Sequence, residues 1–324
     1  MVDLDCYTLI LILFIVSAFS FTRRHHFRGR DMLASRASVP RLVRNGTARG
    51  RALVTRTARP CVVTLAAGDV PKASSSGKGR VLVLGGTGFV GQQICKEALD
   101  VGYDVTSVSR RGTPPDQGAS TSTLQSVDWR VGDATDPNTA IDILSESDFV
   151  GCIHAVGMLL ANDFNAFASG SGSVPDKNAT YDLVTRVTAL NAADATVTCL
   201  SGSDAPPPFV FVSAAEARWD FKAPVDWLED YLIAKRAVEE RLTELNSQGK
   251  LRASWLRPSL VYTFDKPAAL PAVAAFTFGN LIGIPFVDKP VTVDTLAKAA
   301  VTALSDGTTS GVLDYREMER LSAL

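Results

Sequence analysis

Cysteine and histidine are scarce in this chain of 324 residues, and neither is arranged as a set of ligands. The five cysteines are scattered, odd in number and without a C-x-x-C pair. This arrangement excludes a disulfide framework and the usual zinc sites, and it favours a reducing compartment. His154 has no second ligand at a characteristic spacing, so we expect a packed or hydrogen-bonded side chain and predict no metal site.

Basic residues are also sparse outside the N-terminal segment. Residues 1–78 contain 13 Lys or Arg against four acids, whereas residues 79–324 contain 20 basic and 30 acidic side chains, a net charge of −10. A nucleic-acid surface needs clustered cations that bind phosphate. The acidic body therefore argues against nucleic acid as a partner.

The N-terminal segment lacks a hydrophobic run long enough to cross a bilayer. Its apolar stretch, residues 7–19, has 13 residues, whereas a spanning helix needs about 20. This length suits the hydrophobic region of a signal peptide, and residues 16–18 offer a small-residue cleavage site. Asp3 and Asp5 depart from the basic start that such peptides usually have.

An arginine-rich stretch follows, with 11 arginines between positions 23 and 59 and Asp31 as the acid among them. Such a composition, rich in hydroxyl residues as well, is typical of an organelle transit peptide. The two signals in tandem resemble the bipartite presequences of algae with secondary plastids, which implies a plastid stroma, plastoglobule or thylakoid surface. A mitochondrial presequence and an uncleaved membrane anchor are the alternatives. With a flexible linker at 73–79, we predict a signal and transit peptide plus linker over 1–78, disordered or removed, and a folded domain over 79–324.

The folded domain is predicted to begin at residues 80–91, which read R-V-L-V-L-G-G-T-G-F-V-G. The unbroken apolar run is typical of a strand covered on both faces, and an apolar pattern at helical spacing follows the glycines. A glycine turn between a strand and a helix binds anions, because exposed N–H groups and the positive end of the helix dipole face the ligand. An ordinary turn is the alternative, which the flanking strand and helix argue against. The predicted dinucleotide contacts are Gly85, Thr87, Gly88, Phe89, Val90 and Gly91.

The end of the second predicted strand bears on the choice of cofactor. Residues 104–108 form this strand, and Arg110 and Arg111 follow it. An acid at this place would accept hydrogen bonds from the ribose 2′-hydroxyl, whereas an arginine accommodates a 2′-phosphate. The sequence therefore favours NADP(H) over NAD(H), with a plain solvated loop as the alternative.

Further cofactor contacts are expected after the third and fourth strands, because ligands bind outside the carboxyl ends of parallel strands. Asp133 and Ala134 follow the third strand, where such folds contact the adenine ring. Asp133 has the alternative role of capping the helix that starts near Pro137. Ala155 and Gly157 follow the fourth strand, and their small size fits a wall beside the cofactor.

A serine, a tyrosine and a lysine have the types and spacing of a catalytic proton-transfer site. Ser213 ends a buried strand, and Tyr231 and Lys235 lie at i and i+4 on one face of a predicted helix. A phenol has a pKa of about 10, which a nearby Lys⁺ and a positive nicotinamide ring lower. Ser213 would hydrogen-bond the substrate oxygen, and Tyr231 would exchange its proton during hydride transfer. Lys235 would also contact the nicotinamide ribose.

Four features together resemble the atypical or extended short-chain dehydrogenases/reductases over nearly all of residues 80–324. They are the glycine turn G-G-T-G-F-V-G, the strand-end Ser213, the segment Y-L-I-A-K, and Arg257 with Pro258 after the sixth strand. The resemblance implies an NAD(P)-binding Rossmann fold of the NAD-dependent epimerase/dehydratase kind, an α/β domain with a doubly wound parallel sheet. It also adds Pro258 to the expected cofactor contacts.

Several segments, among them H-A-V-G-M-L-L-A-N-D and W-L-R-P-S-L-V-Y, are similar to one subgroup. This subgroup contains the Rossmann-type accessory protein of fungal coenzyme Q biosynthesis and its plant plastoglobule relatives. The similarity implies a redox or accessory protein of plastid quinone or isoprenoid metabolism. A more distant relative, the Rossmann subunit of respiratory complex I, holds NADPH without known turnover. The alternative is therefore a nucleotide-stabilised scaffold or assembly subunit of a membrane-associated complex.

A small substrate cap is expected around residues 262–290 in the C-terminal part. Residues 267–287 contain no charged side chain, and their prolines and glycines break any single spanning helix. One interpretation is the helix pair of a substrate domain. The other is an apolar mouth for a quinone or isoprenoid-like substrate, or a surface that rests on a membrane or plastoglobule.

Overall fold

The computed structural model describes residues 77–113, 121–146, 149–158, 179–202, 205–223, 226–265, 269–284 and 287–324. The presequence predicted for residues 1–78 lies outside these ranges except for its last two positions, so it stays a prediction. Within the ranges given, no helix is both long enough and apolar enough to cross a membrane.

Seven parallel strands form one sheet at the centre of the domain. They are β1 (Arg80–Leu84), β2 (Asp104–Ser109), β3 (Asp128–Val131), β4 (Phe149–His154), β5 (Pro208–Val212), β6 (Arg252–Leu256) and, after two short strands described below, β9 (Gly311–Leu313). Their order is β3-β2-β1-β4-β5-β6-β9. The order reverses between β1 and β4, and the ligand crevice of such sheets lies outside the carboxyl ends of those strands. This topology confirms the doubly wound parallel sheet.

Helices cover both faces of the sheet. They are α1 (Phe89–Asp100), α2 (Thr121–Leu124), α3 (Pro137–Leu144), α4 (Thr188–Leu200, after a π-helical turn at Asp182–Val187), α5 (Asp226–Ser247), α6 (Leu270–Leu281), α7 (Val293–Ser305) and α8 (Tyr315–Ser322). A short 3-10 turn, Ala215–Arg218, follows β5.

The first strand contributes to two hydrophobic cores, one on each face of the sheet. Val81 and Val83 pack with residues of α1, α7 and α8. Leu82 and Leu84 pack with residues of α3, α4 and α5. All four side chains are at most 1% exposed. Because both faces are covered, the four residues of β1 after Arg80 are all apolar and none of them forms a polar side.

Side-chain caps fix the starts of three helices. Asp136 accepts a hydrogen bond from the backbone N–H of Asn138 at 2.9 Å, so Asp136 is the N-cap of α3. The alternative capping role considered for Asp133 is therefore wrong. Thr292 and Asp314 cap α7 and α8 in the same way, and each cap satisfies N–H groups that have no partner inside the helix.

The segment between β6 and α7 contains α6 and a two-stranded parallel sheet of β7 (Val261–Tyr262) and β8 (Val291–Thr292). Two large apolar side chains of α6 point outward, with Phe278 61% and Leu281 79% exposed. These elements lie where the substrate cap was expected, and their function as a cap stays a prediction.

Candidate active site

The glycine turn between β1 and α1 admits no side chain at two positions. Gly85 has a φ of +87°, and a Cβ placed there would lie 2.8 Å from the carbonyl carbon of Ala155. A Cβ at Gly91 would lie 2.1 Å from the carbonyl oxygen of Gly85. Phe89 and Val90, the first residues of α1, are half-buried. The turn is therefore packed closely between the end of β4 and the first turn of α1, as a phosphate-binding turn requires.

The start of α1 has no side-chain cap. Its N-cap is Gly88, which has no side chain with which to occupy the N–H groups that follow. The N–H of Gly88 donates to the carbonyl of Gly85 at 2.9 Å, and the side-chain amide of Gln92 donates to the carbonyl of Thr87 at 2.9 Å. The turn is thus held by its own hydrogen bonds, and a helix start without a side-chain cap is the kind of helix end at which phosphates bind.

Gly86 is a further required glycine that the sequence analysis missed. A Cβ there would lie 2.2 Å from Oγ of Ser107 on β2 and 2.8 Å from Sγ of Cys95 on α1. The G-G pair in the sequence could have pointed to it. The physical reason for the glycine, however, is a close contact between elements that are distant in the chain.

Arg110 and Arg111 follow β2 at the carboxyl edge of the sheet, and both side chains are exposed. The N–H of Gly112 donates to Oγ of Ser109 at 3.0 Å. The N–H of Gly132, which follows β3, donates to the carbonyl of Ser109 at 3.1 Å. The two arginines therefore lie beside the end of β3, where the adenosine end of a cofactor was expected.

Asp133 and Ala134 lie in the loop between β3 and α3. Asp133 is exposed, and its carboxylate accepts hydrogen bonds from the N–H and the hydroxyl of Thr135 at 2.9 and 2.8 Å. The carbonyl of Ala134 accepts one from the side chain of Asn191 on α4 at 3.2 Å. The loop is thereby fixed to α4, a contact that the sequence did not indicate.

Lys235 on α5 lies beside the ends of β4 and β5 and is only 4% exposed. Its ammonium donates to the carbonyl of Val212 at 2.6 Å and lies 4.7 Å from the ring centroid of Phe211. A Cβ at Gly157 would lie 4.0 Å from the same nitrogen. Because Ala155 contacts the glycine turn, residues 155–157 connect that turn to Lys235.

Tyr231 lies one helical turn before Lys235, with its ring centroid 5.5 Å from the ammonium. Its ring meets that of Tyr181 edge-on at 5.8 Å. Desolvation raises the pKa of Tyr231, and the charge of Glu216 raises it further. Desolvation lowers the pKa of Lys235 to about 7, against the opposing charge of Glu239. The protein's own groups thus keep the phenol protonated at neutral pH, whereas the sequence led us to expect a lowered phenol pKa.

Ser213 immediately follows β5 and is buried, with its hydroxyl donating to Oε1 of Glu239 at 2.5 Å. Nε of Arg257 donates to the same oxygen at 3.0 Å. The carbonyl of the buried Pro258 accepts from the N–H of Ala215 at 2.9 Å, which ties the chain after β6 to the 3-10 turn. The hydroxyl that was expected to meet a substrate oxygen therefore bonds to Glu239.

Three titratable side chains complete the site. His154 is fully buried, its Nε2 lies 2.9 Å from Oγ1 of Thr188, and burial followed by the charge of Lys235 lowers its pKa to about 3. Burial raises the pKa of Glu216 to about 7. Glu216 and Glu239 were missed from sequence, although Glu239 lies at helical spacing from Lys235. Across the part of the chain that the structure describes, no three His, Cys, Asp or Glu side chains are grouped to hold a metal ion.

The parallel sheet with its reversal of strand order, the glycine turn and the neighbouring Tyr–Lys pair define a dinucleotide-binding fold of the Rossmann type. Residues 81–270 match the NAD dependent epimerase/dehydratase family. The match covers more than half of the chain, so this protein belongs to that family.

Three individual proteins illustrate the likeness. The fold is similar to that of a short chain dehydrogenase/reductase family oxidoreductase from Burkholderia thailandensis, with 17% identity, a TM-score of 0.52, and coverage of 74% of this chain and 92% of that one. An uncharacterized chloroplastic protein of Arabidopsis thaliana is 27% identical over 269 residues, 75% of this chain and 77% of the relative. MIOREX complex component 2 of Saccharomyces cerevisiae is 32% identical over 115 residues, 35% of this chain and only 39% of the yeast protein.

Proposed function

We propose that this protein binds a nicotinamide dinucleotide and acts as an oxidoreductase of the short-chain dehydrogenase/reductase type. The observation that carries the proposal is the continuity of the site. Gly85 contacts the backbone of Ala155, and Gly157, two residues further on, lies beside the ammonium of Lys235. The glycine turn would hold the pyrophosphate, and Lys235 would hold the nicotinamide ribose. Side chains at Gly85 and Gly91 would collide with neighbouring backbone atoms, and a turn without side chains lets the pyrophosphate of such a cofactor approach the backbone.

Proton transfer in this proposal belongs to Tyr231 and Lys235. The bound cofactor supplies or accepts the hydride. Because its pKa is raised, the phenol of Tyr231 is protonated at neutral pH and suits donation to a carbonyl oxygen, which is the direction of reduction. Lys235, with a pKa lowered to about 7, is able to return a proton to the phenolate that forms.

NADP(H) is the preferred cofactor in this proposal. Arg110 and Arg111 are exposed at the carboxyl end of β2, where an arginine accommodates a 2′-phosphate. The same position has no acid that would bind the ribose hydroxyls of NAD(H).

The proposed substrate is a hydrophobic carbonyl or alcohol of the quinone or isoprenoid kind. The exposed apolar side chains of α6 support this choice, since residues 269–284 contain no charged side chain and Leu281 is 79% exposed. The same side chains suit a peripheral membrane or plastoglobule surface. A role in plastid quinone or isoprenoid metabolism rests on the presequence pattern, the chloroplastic relative and the subgroup resemblance.

A nucleotide-stabilised scaffold without turnover is the second candidate, and one observation favours it. Ser213 is only 3% exposed. Its hydroxyl donates a hydrogen bond to Glu239 rather than being open to a substrate. In a scaffold, Tyr231 and Lys235 would hold the nicotinamide ribose and do nothing more.

Complementation of a deletion strain with single variants of the protein distinguishes these two functions. Under the oxidoreductase proposal, Tyr231→Phe and Gly88→Asp both fail to restore the phenotype of a deletion strain, because one removes the proton donor and the other repels the pyrophosphate. Tyr315→Phe on α8, far along the chain from the site, is the matched control and restores it. Full restoration by Tyr231→Phe, with failure of Gly88→Asp, would establish the scaffold instead.

A further inference from the structure

A buried ionic network lies behind the candidate active site. Glu239 on α5 is 6% exposed and lies one helical turn after Lys235. Its Oε1 accepts hydrogen bonds from Oγ of Ser213 at 2.5 Å and from Nε of Arg257 at 3.0 Å. Its second oxygen pairs with Nη2 of Arg257. Both carboxylate oxygens are therefore bonded, which makes the network rigid as well as buried.

This network determines what the Ser213 hydroxyl can do. A carboxylate has no proton to donate, so the single proton of the Ser213 hydroxyl forms the hydrogen bond to Glu239. The N–H of Ser213 is also used, because it donates to the carbonyl of Leu256 at 2.8 Å. Toward any other group Ser213 is left as an acceptor, and Tyr231 remains as the donor to a carbonyl oxygen.

The network also acts on the charge of Lys235. The titratable groups that act on or lie beside this ammonium are Glu239 and Tyr231 on α5 and His154 on β4, and Arg257 after β6 is paired with Glu239. Burial of the ammonium favours its neutral form, and the negative charge of Glu239 opposes that effect. Arg257 offsets part of the charge of Glu239 because it is paired with it.

We infer that Glu239 is a positioning residue for this site: held by Arg257 and placed one helical turn after Lys235 on α5, its carboxylate fixes the hydroxyl of Ser213 and favours the ammonium form of Lys235. This inference deepens the proposed function and rests on it for its catalytic meaning. The structural part of the inference is testable without any nucleotide.

The titration of Lys235 in the full chain, followed by NMR of isotope-labelled lysine side chains, tests the inference. Lys235→Arg identifies the signal by its loss. In the wild type we expect a midpoint near pH 7. Glu239→Gln removes the opposite charge and moves the midpoint down by about 1 pH unit or more. Glu240→Gln, an exposed neighbour on the same helix, is the matched control and leaves it in place. An unchanged midpoint in Glu239→Gln overturns the inference.

Two further variants keep the test decisive if Glu239→Gln does not fold. Arg257→Gln leaves the charge of Glu239 less neutralised, so the Lys235 midpoint rises; a fall or no change contradicts us. Ser213→Ala leaves the Glu239–Arg257 pair intact and the midpoint near the wild-type value; a shift as large as that of Glu239→Gln contradicts us. The titration uses the protein without nucleotide. A protein that fails to bind NADPH in a separate assay would therefore contradict the proposed function, while the titration result for Glu239 would still hold.

Discussion

Lys235 is a buried ammonium, and its burial makes the stability of the fold depend on pH. Desolvation lowers its pKa in the folded protein to about 7, whereas an unfolded lysine has a pKa of about 10.4. Between these two values the unfolded state binds more protons than the folded state. The contribution of Lys235 to stability is therefore lowest below about pH 7 and rises with pH through this window.

Replacement of Lys235 by methionine should remove this dependence while it preserves the size of the side chain. Above about pH 7, we expect the free energy of unfolding of the wild type, relative to that of Lys235→Met, to increase with pH by up to about 1.4 kcal/mol per pH unit. Urea unfolding at a series of pH values checks this. Two parallel stability curves would contradict it.

The arginine pair after β2 gives a second prediction at the residue scale. Arg110→Ala combined with Arg111→Ala should weaken NADPH binding about tenfold or more and leave NADH binding unchanged, since a charge-assisted hydrogen bond contributes about 1.5–3 kcal/mol. Lys250→Ala, just before β6 at the opposite end of the strands, is the control. Calorimetry with both nucleotides decides, and equal affinities before and after would remove the NADP(H) assignment.

The residue types at the site were predictable to different degrees. The spacing of Tyr231 and Lys235 predicted their shared helix face, because helical geometry is local. The bond from Ser213 to Glu239 was not predictable, because it joins residues 26 positions apart through the packing of α5 on the sheet. The raised pKa of Tyr231 depends on desolvation and then on the charge of Glu216, neither of which the sequence shows.

At the scale of elements, the junction of the glycine turn with α1 is the tightest part of the candidate site. A Cβ at Gly91 would lie 2.1 Å from the carbonyl oxygen of Gly85. Because that oxygen belongs to the backbone, no side-chain rotation can relieve the clash. Gly91→Ala should therefore destabilise the protein by about 1–3 kcal/mol or more. Gly307→Ala, where nothing lies within 4 Å, is the matched control with little effect. Thermal unfolding measures both, and equal melting temperatures would contradict the close packing.

The elements themselves were largely predictable, because apolar runs and glycine punctuation are local signals. The sequence identified the strand before the glycine turn and the helix after it, and the structure has both. The start of α3 was predicted near Pro137 and lies there, but its cap was not predicted, since Asp133 and Asp136 are both good caps and only the backbone geometry selects Asp136. The glycine at 86 depends on Ser107 and Cys95, which belong to other elements.

At the scale of the whole molecule, the N-terminal 78 residues differ in charge from the domain that follows, 13 basic and four acidic side chains against a net charge of −10. We expect residues 1–78 fused to a fluorescent protein to reach the plastid of an alga with secondary plastids. The same fusion without residues 1–19, which include the apolar run, should stay outside it. Fluorescence in mitochondria would contradict the plastid address.

The central claim is that the glycine turn binds a nicotinamide dinucleotide, and NADPH binding by calorimetry tests it most directly. We predict saturable binding to the wild-type chain and its loss in Gly88→Asp, because an added carboxylate repels the pyrophosphate. Gly307→Asp adds the same charge at an exposed turn and should keep the affinity. A folded wild-type protein that does not bind NADPH or NADH, or a Gly88→Asp variant with unchanged affinity, would contradict the account.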